Sequence, residues 1–496
     1  MITYYVVGRR RFAVAGAIAA SFLSGCFAIG VFSCRGATPG QLLIALLFCL
    51  VVYLTKPQLM VWCALFFAFA SLPDGWHMGV DFGPVTIYLY QVAMVLAAIF
   101  LVRASRAQRS SYILPGMFLA TMVCCAVVGF AVGNPTDRVL REFVYLFELV
   151  VGFVLAILII DAGYAKQAMR AIGVTLWFSA GMLVAASFHL IVLAGRTETL
   201  EKGLGAAEAT RLVTNSQNMA IAVLAALVAA QIVGRVRPAT YFMLAPPALV
   251  IVLLAFARHT LLLLAVAGVV ALLTRPGWQA LRRTTMASVT GAAIFAVAVP
   301  GSLLLLKHSS AGDWLGDQFT AFNNRVLDNV SSSRFAMDPS VLAREAENTE
   351  LRRAIGEAPV FGHGLGFPYQ LPFGKPDSFT ATLGTTYAHN FYLWWLAKAG
   401  AIGMMAFALF ALLPILRGLL SASASAKTAA AVAAALLVNC TVDPIPEDGA
   451  DALVLGLALG AALHFAVVSR RARREDNAVQ PAIPSDVIRE PAAIPA

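Results

Sequence analysis

Residues 112–133 read YILPGMFLATMVCCAVVGFAVG, twenty-two residues without a charged side chain. About 20 apolar residues in a helix cross roughly 30 Å of hydrocarbon, so this stretch reads as a membrane span. The pattern recurs on both sides of it. Apolar runs fall at 12–32, 41–55, 58–72, 85–102, 142–160, 172–194, 217–233, 241–257, 259–274, 286–306, 389–416, 428–442 and 451–468, which gives fourteen candidate spans with the first. Runs 41–55 and 428–442, and the adjoining pair around Arg258, are the weakest, each near or under the usual span length, so the count is 12 to 14. The whole 496-residue chain agrees, with 60% hydrophobic and 12% charged residues, a composition that excludes an ordinary soluble domain. The expected fold is all-α, a polytopic membrane protein with one large outer loop carrying short helices.

The net charge of +10 does not point to nucleic acid, because the basic residues sit in short clusters between apolar runs. Those clusters set an orientation. Arg9, Arg10 and Arg11, then Lys56, Arg103/Arg106/Arg109, Lys166/Arg170, Arg235/Arg237, Arg275/Arg282/Arg283, Arg417/Lys427 and Arg470 to Arg474 all fall on one side if fourteen spans begin and end inside. The opposite side takes the acidic stretch Asp443 to Asp451 and the two longest loops. The expectation is a multi-pass inner-membrane protein with both termini cytoplasmic and the large loop on the outer side. Its parts are helices over 1–306, a loop over 307–388, further helices over 389–468 and a disordered cytoplasmic tail over 469–496. Leu23-Ser24-Gly25-Cys26 resembles a lipoprotein cleavage box, but apolar residues continue through Phe32, so the segment is kept as a span.

The seven cysteines form no CxxC pair and the histidines no HExxH pattern, so neither a metal nor a cofactor is expected. Chemistry is expected in the loops. Loop 195–216 carries Arg196, Glu198, Glu201, Lys202, Glu208 and Arg211. Loop 307–388 spans 82 residues with seven basic and nine acidic side chains, long enough to be functional. Within it Asp338-Pro339 predicts a helix start, and a helix over 339–356 would set Arg344, Asn348 and Arg352 on one face beside Leu351, Ala354, Ile355 and Ala358. The Phe361-Gly362-His363-Gly364-Leu365-Gly366-Phe367 stretch then allows positive φ and close backbone approach to a ligand, or simply a turn.

Ala388-His389-Asn390-Phe391-Tyr392-Leu393-Trp394-Trp395, followed by Gly400 and Gly403, resembles the bacterial O-antigen ligase and O-antigen polymerase family. Pro359-Val-Phe-Gly-His-Gly-Leu-Gly upstream matches the family's glycine stretch. Ala257-Arg258-His259-Thr260 matches its break between two short spans, although Ser and Gly are commoner where Ala257 and His259 stand. Val438-Asn439-Cys440-Thr441 matches its Asn-rich penultimate span. The resemblance covers about 217–468.

What it implies is metal-independent glycosyl transfer on the periplasmic side. The donor would be a glycan linked to undecaprenyl diphosphate, and the acceptor a second glycan (polymerase) or a lipid A core (ligase), in O-antigen or exopolysaccharide assembly. A lipid bilayer, and a chain-length regulator or flippase, are the implied partners. A diphosphate calls for permanent cations with bidentate geometry, which favours arginine. The outward-facing candidates are Arg258 and Arg352 as catalytic groups, with Arg353, Arg211, Arg138 and Arg141 as further substrate contacts. Arg258 stands out because a lone charge between two apolar runs is functional by default. His389 suits a general base toward the acceptor hydroxyl, or a group that orients the diphosphate, or an interfacial residue at a span start. Asn390 is a cap or a substrate contact, His363 a sugar contact or a turn residue, and Gly364 a point of close backbone approach. Trp394, Trp395 and Tyr392 suit a lipid belt or a sugar platform. The rival reading is a transporter or flippase of lipid-linked sugars, for which the spans hold few ionisable groups, Glu148 being the main one.

Overall fold

A computed structural model of the chain describes residues 37–479 apart from 77–78, 83–84, 201–208, 235, 276, 287–300, 302–308, 324–338, 373 and 376–378, together with Gly16 and Gly25. Runs 12–32 and 286–306, the box at 23–26 and the end of the tail lie largely outside the described residues. The other twelve apolar runs coincide with helices, seven of them long and apolar enough to cross a membrane and five shorter.

In chain order the helices are α1 (Ala37–Thr55), α2 (Met60–Phe69), α3 (Leu89–Ala104), α4 (Ile113–Val132), α5 (Thr136–Asp161), α6 (Ala165–Ser187), α7 (Ser216–Val233), α8 (Pro238–Ala255) and α9 (His259–Thr274). After them come α10 (Ser310–Phe322), α11 (Pro339–Glu357), α12 (Phe391–Leu419), α13 (Ala424–Asn439) and α14 (Gly449–Val479). The all-α expectation needs one correction. Two antiparallel hairpins interrupt the helices, β1 (Gly79–Phe82) with β2 (Val85–Tyr88) and β3 (Arg196–Leu200) with β4 (Ala209–Val213). The first takes Val85–Tyr88 from the start of run 85–102, and the second lies within loop 195–216.

The most extensive helix pair is α5 with α14. A Cβ on Gly456 or Gly460 would collide with the carbonyl of Leu149 or Phe153. These two small residues, four apart, let the helix backbones approach as closely as membrane packing favours.

The two ends of the bundle differ. At one end Lys427 Nζ donates to the Thr274 carbonyl (3.0 Å), and Asp161 accepts from His464 (3.1 Å) and Ser105 (2.8 Å) with Arg471 nearby. Lys427 and Arg471 are among the residues expected inside. At the other end Asn218, at the start of α7, donates to Asp451 at the start of α14 (2.6 Å).

Helix α12 is broken at Gly400, whose φ of 62° and ψ of −170° lie outside the helical region. The break frees backbone groups inside the bundle, where only protein can satisfy them. The segment after α11 does so. Ala401 and Ile402 N–H donate to the carbonyls of Pro359 (2.9 Å) and Val360 (3.2 Å), while His363 and Gly364 N–H donate to those of Ala397 (3.0 Å) and Lys398 (2.9 Å). On its other side this segment meets α4, and a Cβ on Gly364 would collide with the Gly129 amide. The glycines therefore serve close approach to α12 and α4, where the sequence pointed to a ligand.

Gly364→Ala is accordingly expected to lose folded protein, since Gly364 has φ +80° and a left-handed non-glycine residue costs about 1–2 kcal/mol before any collision. Gly356→Ala, in open space on α11, is expected to be neutral or slightly stabilising. Thermal unfolding of both purified variants in detergent checks this.

Candidate active site

The site grows from the α8–α9 break. Helix α8 ends at Phe256, a non-glycine residue with φ 47°, and Arg258 occupies the N-cap position of α9. The β4 strand lies against this break, where Arg211 Nε donates to the Ala255 carbonyl at 3.1 Å, and the Phe256 ring packs with Ala209 and Ala321. His259 Nε2 stands 3.7 Å from Asp443 Oδ2, an ion-pair distance too long for a hydrogen bond. Asp443 in turn accepts from Asn218 (3.5 Å) and Asn439 (3.4 Å). Arg211 and Arg344 both lie within electrostatic reach of His259. Arg344 Nε is buried with no hydrogen-bond partner among the described residues.

One turn along α11 from Arg344 comes Glu347. Its carboxylate accepts from His389 Nδ1 at 2.9 and 3.2 Å and from the His389 backbone N–H at 3.3 Å. With Nδ1 carrying the hydrogen, Nε2 keeps its lone pair and can take a proton. The Tyr387 ring meets the imidazole edge-on at 5.4 Å. Behind them Glu447 accepts from the Ala388 N–H at 3.3 Å, its other oxygen buried without a partner. Burial pushes the Glu447 carboxyl well above the usual carboxylate range, against the opposing pull of Lys398. Burial, reinforced by Glu447 and Asp443, likewise pushes the Tyr387 phenol well up.

The other anticipated residues are spread out. Arg352 and Arg353 are exposed on α11, and Arg353 pairs with Glu350 at 2.9 Å and Glu357 at 3.9 Å. The expected face Arg344, Asn348, Arg352 drifts, because eight residues turn a helix 80° past two full turns at 3.6 residues per turn. Arg344 shares its line with buried Leu351, and Arg352 faces out. Arg138 pairs with Asp137 at 3.2 Å. Arg141 is exposed, its Nε donating to the Tyr145 hydroxyl at 2.9 Å. His363 Nε2 donates to the Ala354 carbonyl at 2.9 Å and the ring stacks on Phe367 at 4.0 Å, which fixes it in the turn. Asn390 caps α12, accepting from Tyr392 and Leu393 N–H at 3.1 and 3.3 Å. Trp394 and Trp395 are fully buried rather than at a lipid or sugar surface.

Glu347, Asp443 and Glu447 were not singled out by sequence. All three bind residues remote in the chain; the density of carboxylates in 443–451 hinted at Asp443 and Glu447, and nothing hinted at Glu347. Among the described residues no three His, Cys, Asp or Glu side chains are grouped so as to hold a metal ion.

Residues 240–408 match the family model described as O-Antigen ligase. The matched span covers about a third of the chain and takes in Arg258, Arg344, Glu347 and His389. No curated protein matches the chain.

Proposed function

We propose that the protein transfers a glycan from a polyprenyl diphosphate to an acceptor hydroxyl at the outer face of the bacterial inner membrane. The observation that carries the reading is His389 held through Nδ1 by Glu347, one turn along α11 from Arg344, which with Arg211 lies within electrostatic reach of His259, the residue after Arg258. The arginines bind the diphosphate, whose charge they neutralise without titrating. His389 Nε2 takes the proton of the acceptor hydroxyl as its oxygen bonds to the anomeric carbon. The bond from that carbon to the diphosphate oxygen breaks, and the diphosphate leaves with the electron pair. No cofactor enters the scheme.

Deleting the gene and examining the surface glycan tests the reading. Short lipid-linked repeats would indicate a lost polymerase, and full-length unattached polymer a lost ligase. An unchanged surface glycan and unchanged lipid-linked pool would refute both. Reporter fusions after residues 350 and 445 are expected to report the periplasm, and those after 280 and 475 the cytoplasm. A cytoplasmic signal at 350 would put the site on the wrong side.

The arginines make a separate prediction. Arg258→Ala and Arg344→Ala are expected to stop transfer, with poor rescue by Lys because a point charge replaces a planar fork. Outward-facing Arg352→Ala is expected to retain most of it. Product per unit of inserted protein is the measurement, and the reverse ranking of Arg344 and Arg352 would return the role to Arg352.

A further inference from the structure

At the end of the bundle away from His389, three segments of chain meet on one carboxylate. Asp161 is the last residue of α5, and its side chain is buried. Its Oδ2 accepts from the Ser105 hydroxyl at 2.8 Å and from the Arg106 N–H, both just past the end of α3. Its Oδ1 accepts from His464 Nε2 of α14 at 3.1 Å.

Arg471 lies about two turns beyond His464 on the same helix. Its Nη1 stands 3.7 Å from Asp161 Oδ1, beyond hydrogen-bond reach, and its Nη2 is buried with no hydrogen-bond partner among the described residues. Other basic side chains that turn inward at this end find carbonyls, Lys427 that of Thr274 and Arg275 that of Val233. Arg471 does not. Its guanidinium is held beside a carboxylate already occupied by three donors, and a buried donor left without an acceptor is costly enough that native structures seldom keep one. An outside anion with two oxygens would complete the fork.

The surroundings select the kind of anion. Arg103, in the last turn of α3, and Arg106 are exposed and form no ion pair among the described residues. Glu475, one turn beyond Arg471, is exposed and likewise unpaired among them. Toward the middle of the bundle the same helices turn apolar side chains outward. Ile99 is exposed one turn before Arg103 on α3, with Val102 beside it, and Val468 one turn before Arg471 on α14. A cationic rim above an apolar flank matches a lipid, its phosphate at the arginines and its chains along the flank. A free phosphate would use only the rim.

We propose that Arg471, with Arg103 and Arg106, binds the phosphodiester head of an anionic membrane lipid, whose oxygens take the Nη2 hydrogen bond that Asp161 does not. The site lies at the opposite end of the bundle from His389 and stands independently of the transferase reading.

The test titrates the full chain, purified in neutral detergent, with phosphatidylglycerol, phosphatidylcholine and inorganic phosphate, and counts bound lipid by native mass spectrometry. The expected result is preferential binding of phosphatidylglycerol that excess inorganic phosphate does not displace. Arg471→Gln and Arg103→Gln should each weaken it about fivefold, the worth of one cation at an anionic surface. Arg471→Lys, which keeps the charge without the planar fork, should fall between Arg471→Gln and wild type. Arg282→Gln is the control, since Arg282 is exposed at the same end while its neighbour Ala280 packs against α7 and α9. It should bind as wild type does. Phosphatidylcholine binding and the lipid-free unfolding temperature should not change in any variant. Should Arg471→Gln fail to fold, Arg103→Gln and Arg106→Gln, at exposed positions, decide the matter. Wild-type affinity in the folded variants would overturn the proposal. An equal loss in Arg282→Gln would overturn it too, by showing diffuse charge in place of a site, and displacement by inorganic phosphate would replace the lipid with a free anion.

Discussion

His389→Ala is expected to lower glycan transfer per unit of inserted protein by about 10²- to 10⁴-fold, the usual contribution of a positioned general base. The alternative for a histidine at a span start is structural, and the neighbouring cap gives the comparison. Asn390→Ala removes two N-cap hydrogen bonds, which costs about 1 kcal/mol of stability and lowers protein level rather than turnover. His389→Ala should do the reverse. Glu347→Ala separates positioning from proton transfer: it leaves the imidazole in place but frees it to rotate and to change tautomer. A loss of about 10²-fold is expected, as for misplacement of a reacting group by about 1 Å. Assays of each variant at matched abundance decide the matter. Wild-type turnover in His389→Ala would refute its role as base.

Much of the architecture was legible because membrane spans write themselves as apolar runs, and runs such as 112–133 and 142–160 became α4 and α5 with small shifts at the ends. The hairpins at 79–88 and 196–213 were not, since four- and five-residue strands leave too short a pattern. That Arg258 stands at a break between two helices was legible because a charge between two apolar runs is conspicuous, and that His389 stands just before a helix because a long apolar run follows it. Glu347 was invisible for a different reason. It is 42 residues from His389 in the chain and one of several carboxylates on a polar helix, so only tertiary packing distinguishes it. That Arg352 is exposed while Arg344 is partly buried follows from helical phase, which a four-residue spacing keeps for one turn and loses by 80° over two. The glycine stretch was read as close backbone approach to a ligand or a turn, whereas the approach is to the protein's own backbone. Its partners, Gly129 and the backbone opened at Gly400, lie on helices far away in the chain.

Lys398→Ala is expected to be among the most destabilising single changes in the protein. The Lys398 side chain is fully buried on α12, ion-paired with Glu142 of α5 and placed over the Trp394 ring at 4.9 Å. The other oxygen of Glu142 accepts from the Gly366 N–H at 2.6 Å, so one carboxylate ties together α5, α12 and the glycine segment that docks on the α12 break. Removing the lysine alone strands that carboxylate in an apolar interior, and breaking a buried pair from one side typically costs about 3–5 kcal/mol. A loss of that size is comparable to the whole stability of many domains, about 5–15 kcal/mol. Removing both charges is a different experiment. In the Glu142→Gln, Lys398→Met double variant no buried ion is left without a partner, the amide oxygen still accepts from Gly366 N–H, and the methionine fills much of the lysine's volume against Trp394. The double variant should therefore be more stable than Lys398→Ala and close to wild type, because exchanging a buried ion pair for matched neutral groups is often neutral. Thermal unfolding in detergent of wild type, Glu142→Gln, Lys398→Met and the double variant gives the coupling directly, with Lys398→Ala measured beside them. Additive losses in the double variant would mean that the two side chains act independently and that the segment is held on α12 by its backbone hydrogen bonds alone.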